Sequence, residues 1–109
     1  MGEFRSGDVL WASLDAPVGR EQTGRRPAVV IAGSEYLRLV DTLAVIVPLT
    51  SVDRGWPNHI PVPGLPGPSW AMTEQLRVVS RERLHGHLGH ADAATLRRIR
   101  NWVGDFLGL

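Results

Sequence analysis

The chain has 109 residues, no cysteine and a formal net charge of +1 at pH 7. That length supports one domain with a single small core, and the lack of cysteine excludes a disulfide framework or a thiolate zinc site. Twelve basic residues against eleven acidic ones exclude a strongly basic nucleic-acid binder, yet all twelve are Arg, whose planar forks suit phosphate wherever they cluster.

Met1 to Arg5 is too short and too polar for a signal peptide, and no apolar run approaches the ~20 residues needed to span a bilayer. A cytoplasmic protein with no membrane role is expected. Val9 to Leu14 reads as a first strand, short and β-rich, ended by Asp15-Ala16-Pro17. The stretch from Asp15 to Arg25 has Pro17, Gly19 and Gly24 and no apolar periodicity, which predicts an exposed loop of about ten residues, a length that often carries function.

Pro27 to Ala32 is a continuous apolar run of the kind a central strand buried on both faces requires. Arg25 and Arg26 stand at the joint between loop and strand. Pro27 fixes its own φ and biases Arg26 towards extended backbone, so the Arg26 side chain is aimed and becomes the first catalytic candidate. The plainer reading, two solvated charges before a strand, stays open at this point.

Glu35 to Leu39 reads as a short connection with room for one helical turn. Thr42 to Val47 is a third buried strand, followed by Pro48-Leu49-Thr50-Ser51, which sets two hydroxyls just past its end. Asn58 to Val62 is a weak strand confined by its proline to a sheet edge or a bulge. Trp70 to Val79 is predicted as one strand, with Met72, Glu74 and Leu76 on one face and Thr73, Gln75 and Arg77 on the other. Gln75 and Arg77 would then point the same way.

From Asp92, a plausible N-cap, Leu96, Ile99, Val103, Phe106 and Leu107 form the apolar face of a terminal helix. Arg97, Arg98 and Arg100 fall on its polar face. Several short strands and one terminal helix predict a mostly β fold with α decoration, a small barrel. Trp11 is assigned to the core, whereas Trp56 and Trp70, beside Pro/Gly-rich loops, are expected half exposed, serving core or dimer contact or stacking on a base. His85, His87 and His90 invite a metal reading, set aside because no nearby carboxylate or cysteine completes a site. His59 is assigned to packing or a backbone hydrogen bond.

These residues assemble into a family likeness. Gly7-Asp8-Val9-Leu10-Trp11, then Gly19-Arg20-Glu21-Gln22 with Gly24-Arg25-Arg26-Pro27-Ala28-Val29-Val30, resembles the two opening motifs of the MazF/PemK toxins of type II toxin–antitoxin modules. Val47-Pro48-Leu49-Thr50-Ser51 is similar to the family's strand ending in a hydroxyl pair, and Pro57-Asn58-His59-Ile60 to its Pro-x-His-Val segment. Ser69, Glu74-Gln75-Leu76-Arg77-Val78-Val79 and Arg83-Leu84 continue the likeness in order and at matching spacing. It covers nearly the whole chain, read as a single toxin domain over residues 1–109.

The resemblance implies a compact SH3-like, PemK-type β-barrel with a C-terminal helix, a homodimer, and a sequence-specific endoribonuclease that cuts single-stranded RNA with no metal or other cofactor. It also implies a cognate antitoxin whose flexible C-terminal segment covers the RNA groove. By the same likeness Arg26 matches the catalytic arginine and Thr50 the second catalytic position. Glu21, the only carboxylate near the joint, is the available base if Arg26 is not one, since a guanidinium loses its proton only above pH ~12. Gln22, Arg25, Ser51, Gln75 and Arg77 are the expected RNA-binding residues. Two rivals remain: a CcdB-like gyrase poison of the same fold, and a non-catalytic RNA- or peptide-binding barrel. The first resembles the chain poorly at Arg26 and Thr50, and its C-terminal Trp-Gly-Ile finds only Leu107-Gly108-Leu109 here.

Overall fold

Alternation along the apolar runs decides how the strands are used. In the computed structural model, which describes residues 4–14 and 24–109, seven strands and two helices follow one another. They are β1 (Asp8–Ser13), β2 (Arg25–Val30), α1 (Ser34–Leu39), β3 (Leu43–Thr50), β4 (His59–Pro61), β5 (Trp70–Met72), β6 (Arg77–Ser80), β7 (Leu84–His90) and α2 (Ala93–Phe106). Val9, Val29, Val47 and Leu49 point to a core roofed by α2 through Leu96, Ile99 and Val103. Their neighbours Leu10, Ala28, Val30 and Ile46 point the other way, to a second core containing Leu37 of α1. Burial on both faces is what the unbroken apolar runs require.

Every strand pairing is antiparallel, in the order β4-β5-β3-β2-β1-β7, with β6 also on β3. Among the described residues no ladder joins β4 to β7, so the sheet curls without closing. β3 is the hub. One edge pairs with β2, while the other pairs with β6 over Leu43 to Ile46 and with β5 over Leu49 and Thr50. Pro48, with no N–H to donate, falls in the gap between those two ladders.

That change of partner corrects the single strand expected from Trp70 to Val79. β5 and β6 are separate strands, divided by a 3-10 turn at Thr73–Gln75. Thr73 is fully buried and its hydroxyl donates to the Asn58 carbonyl at 2.8 Å, which holds the turn down. Alternation across the stretch therefore does not apply, and Gln75 and Arg77 are not strand neighbours on one face.

The terminal helix starts where expected, with the Asp92 carboxylate accepting from the Thr95 N–H at 2.7 Å. Its predicted apolar face ends at Val103, however: Phe106 and Leu107 are about half exposed, at 48% and 58%. Arg100, placed on the polar face, reaches across to donate to the Ile31 carbonyl at 2.9 and 3.0 Å and ties α2 to the end of β2.

The histidine-rich segment is β7 itself, paired with β1 through a bulge around Leu10. The pairing also supplies the carboxylate that the sequence did not show. Buried Asp8 accepts through Oδ2 from the Arg5 N–H at 2.9 Å, and its Oδ1 lies 3.1 Å from His90 Nδ1 and 3.2 Å from His87 Nε2. Among the described residues no three histidine, cysteine or acidic side chains are arranged to hold a metal. Burial works against the Asp8 charge, but the Arg5 N–H and the two rings outweigh it and hold the carboxyl below its ordinary value of 3.8.

A lowered carboxyl pKa stabilises the fold above the unfolded value and is lost as pH falls through the folded one. Asp8→Asn is therefore expected to lower stability by about 1–3 kcal/mol at pH 7. Urea unfolding of both proteins at pH 7 and near pH 3 checks this. The gap between them should narrow in acid, and a gap independent of pH would remove the carboxylate from the account.

Candidate active site

The cleft forms where β2 begins and β3 ends. The β2–β3 ladder ends at Ala28 and Pro48. Arg26, two residues before Ala28 on β2, and Thr50, two residues past Pro48 on β3, stand just beyond that end and line one cleft. Residues far apart in the chain are thus brought to one site by the pairing of these two strands.

Arg26 is exposed, and its Nη1 reaches the Leu49 carbonyl only at a long 3.4 Å, which leaves most of the fork for a ligand. Thr50 is buried, and its Oγ1 accepts from the Val52 N–H at 3.2 Å. Since that oxygen is an acceptor for the protein, its own hydroxyl proton remains to be donated. Ser51 follows, exposed, at the lip.

These residues line a cleft of about 540 Å³, together with Arg25, Trp11, Pro27, Val52, Arg54 and Ser69. Three guanidinium groups border it and, among the described residues, no carboxylate does. A protein with net charge +1 thus presents a locally cationic groove, suited to a polyanion.

Of the residues proposed from sequence, Arg25, Arg26, Thr50 and Ser51 meet here. Glu21 and Gln22 lie outside the described residues. Gln75 sits in the 3-10 turn with its amide 3.6 Å from Met72 Sδ, and Arg77 donates to the Leu14 carbonyl at 3.0 Å; neither lines the cleft. Trp11 and Arg54 were missed. Trp11 is half buried at the cleft wall, not in the core, and pairing with Pro27 of the Arg-Arg-Pro motif is the signal that would have placed it. Arg54 stands in a Gly/Pro-bounded loop four residues past Thr50, where only the fold shows which way the loop turns.

The loop after Thr50 is braced at its far end. His59 Nε2 lies 3.0 and 3.1 Å from the two Glu74 oxygens, a carboxylate partner where packing or a backbone bond was expected. Asn58 Nδ2 adds bonds to Glu74 at 2.8 Å and Thr73 at 3.2 Å, and the Trp56 ring leans on His59 with centroids 4.8 Å apart. Burial raises the Glu74 carboxyl, but the His59 ring and other hydrogen bonds outweigh it and bring it below the ordinary 4.5. Glu74→Ala should cost about 1–2 kcal/mol of stability at pH 7. An unchanged urea midpoint would show that the brace carries no weight.

The family model of the PemK-like, MazF-like toxin of type II toxin–antitoxin systems matches residues 5–107. The endoribonuclease toxin MazF of Escherichia coli K12 is 30% identical over 74 residues, spanning 68% of this chain and 66% of that protein. Endoribonuclease EndoA of Bacillus subtilis is 28% identical over 100 residues, spanning 87% and 86%. Among solved structures, MazF of Deinococcus radiodurans superposes with a TM-score of 0.84 at 29% identity, covering all of both chains. MazE-MazF of the same organism (form II) gives 0.86 at 28%, covering 100% of this chain and 99% of that one.

Proposed function

The chain belongs to the PemK-like, MazF-like toxin family of type II toxin–antitoxin systems, and we propose that it is an endoribonuclease that cuts single-stranded RNA at the cleft between β2 and β3. The observation that carries this reading is the meeting of Arg26 and Thr50 in a groove bordered by arginine. The relatives named as endoribonucleases support the activity.

The chemistry follows from what the groove can supply. The ribose 2′-oxygen attacks the adjacent phosphorus, the bond from phosphorus to the 5′-oxygen breaks, and the products carry a 2′,3′-cyclic phosphate and a 5′-OH. One group accepts the 2′-OH proton, one protonates the departing 5′-oxygen, and the added negative charge on phosphorus is stabilised. Arg26 has the charge and the forked donors for the last task. Thr50 Oγ1 donates to a phosphoryl oxygen. Glu21, the carboxylate nearest this joint in sequence, is the base in this scheme, because a guanidinium keeps its proton far above neutral pH. These proton transfers call for no metal ion.

The partners follow the same reading. A type II antitoxin supplies a flexible, acidic or apolar segment that competes with RNA for the groove, in keeping with the MazE-MazF structure above. A second copy is the other partner. Exposed Phe106, Leu107 and Leu109 at the end of α2, Val52 at the cleft and Trp56 against His59 offer apolar surface for these contacts.

Incubation with a long single-stranded RNA in EDTA, followed by mapping of cut positions and end groups, tests the reaction. Discrete cuts ending in cyclic phosphate and 5′-OH are expected, and intact RNA from folded protein would refute it. Arg26→Ala should lower kcat/KM by about 10²–10³-fold without changing the unfolding midpoint. A variant that cuts at the wild-type rate would remove Arg26 from the site. Thr50→Ala should lose roughly tenfold, about one hydrogen bond, while Thr50→Ser keeps most of the rate. Equal rates for all three side chains would reduce Thr50 to a partner of the Val52 N–H.

A further inference from the structure

One aromatic ring in the cleft is not used by the cleavage chemistry. Trp11 lies on β1 directly across from Pro27, so its side chain shares a face with Pro27 and, on the diagonal, with Arg25. Arg25 Cζ stands over the indole, 4.3 Å from the ring centroid, within cation–π range. From the other side β7 presses close. Gly86 has φ +74, and a Cβ there would come within 3.0 Å of Trp11 Cδ1, so backbone and not a side chain backs the ring. The indole has no room to retreat.

Arg25 is exposed, and among the described residues its side chain makes no hydrogen bond or ion pair; the indole is what orients it. A guanidinium covered on one face by an aromatic ring presents its other face as a flat, weakly hydrated cation. Such a face suits a π-surface flanked by negative charge, which describes a nucleobase within a single strand. Arg25 and Arg26 both line the cleft, so a nucleotide whose phosphate sits on Arg26 has a base within reach of Arg25.

We propose that Trp11 and Arg25 form a base-stacking subsite. The nucleobase beside the scissile phosphate lies on the outer face of Arg25, and Trp11 is the positioning residue that holds the guanidinium flat beneath it. This rests on the ribonuclease reading. It differs from a phosphate contact by Arg25, which a lysine would replace and which would not register whether a base is present.

The test uses a single-cut RNA oligonucleotide with one abasic nucleotide placed in turn at each position around the cut. In the wild type, one position next to the scissile phosphate should lose about 5- to 150-fold in kcat/KM. Trp11→Phe, which keeps an aromatic ring, should retain that penalty. Arg25→Lys and Trp11→Ala should abolish it, cutting intact and abasic RNA at equal rates, with thermal melts confirming that each variant is folded. A penalty that persists in Arg25→Lys or Trp11→Ala would overturn the subsite, as would its absence from the wild type. Should the wild type cut no RNA, the ribonuclease reading fails by itself and binding decides the subsite. Fluorescence anisotropy of labelled intact and abasic single strands should then still show base-dependent affinity in wild type and none in Arg25→Lys. Equal affinities throughout would overturn it.

Discussion

The antiparallel pairing of β2 with β3 is the constraint on which the rest depends. It joins two apolar runs into a pair buried on both faces, and the register that matches Val29 with Val47 in one core and Val30 with Ile46 in the other also brings Arg26 and Thr50, each just beyond the ladder's end, to one cleft. A slip of one residue would send Val29 and Val30 to the wrong cores and part the two polar side chains together. Core packing and site geometry are thus held by the same hydrogen bonds. Because β3 gives its other edge first to β6 and then to β5, with Pro48 between, the chain turns sharply beside the site and the ends of several strands converge there.

Charge is distributed to match. Among the described residues three carboxylates are engaged away from the cleft: Asp8 between β1 and the β7 histidines, Glu74 against His59, Asp92 at the start of α2. Arg100 is likewise spent on the end of β2. Among the described residues the charged groups lining the groove are Arg25, Arg26 and Arg54, so a nearly neutral protein carries a cationic surface there. Net charge is a sum over the surface, whereas a polyanion responds to the local field.

The arginines of the cleft divide by how they are held. Arg26 makes one long bond to a carbonyl and otherwise faces the open groove. Arg25 rests on an aromatic ring that a glycine strand backs from behind. One arrangement leaves donors free in the plane of the fork, and the other leaves a face. On the proposed reading a phosphate takes the first and a base the second.

Much of this was legible from residue order. Apolar runs at Pro27 to Ala32 and Thr42 to Val47 specify doubly buried strands, Asp92 and the 3.6-residue spacing after it specify a capped helix, and the motifs around Arg26 and Thr50 specify a family. All of these are local, fixed by hydrophobic period, proline or capping chemistry within a few residues. What local order does not contain is which edge meets which. The break of Trp70 to Val79 into two strands follows from β3 changing partners, the Asp8 carboxylate reaches the histidines through a ladder between opposite ends of the chain, and Trp11 leaves the core because β2 and β7 flank it. Those contacts join residues dozens of positions apart, and they form only when the whole sheet has paired. Hydrophobic period, proline and capping chemistry specify the buried strands, the terminal helix and the residue types at the site; tertiary pairing sets the remaining elements and which side chains face each other across the cleft, because register is a property of two strands and not of either one.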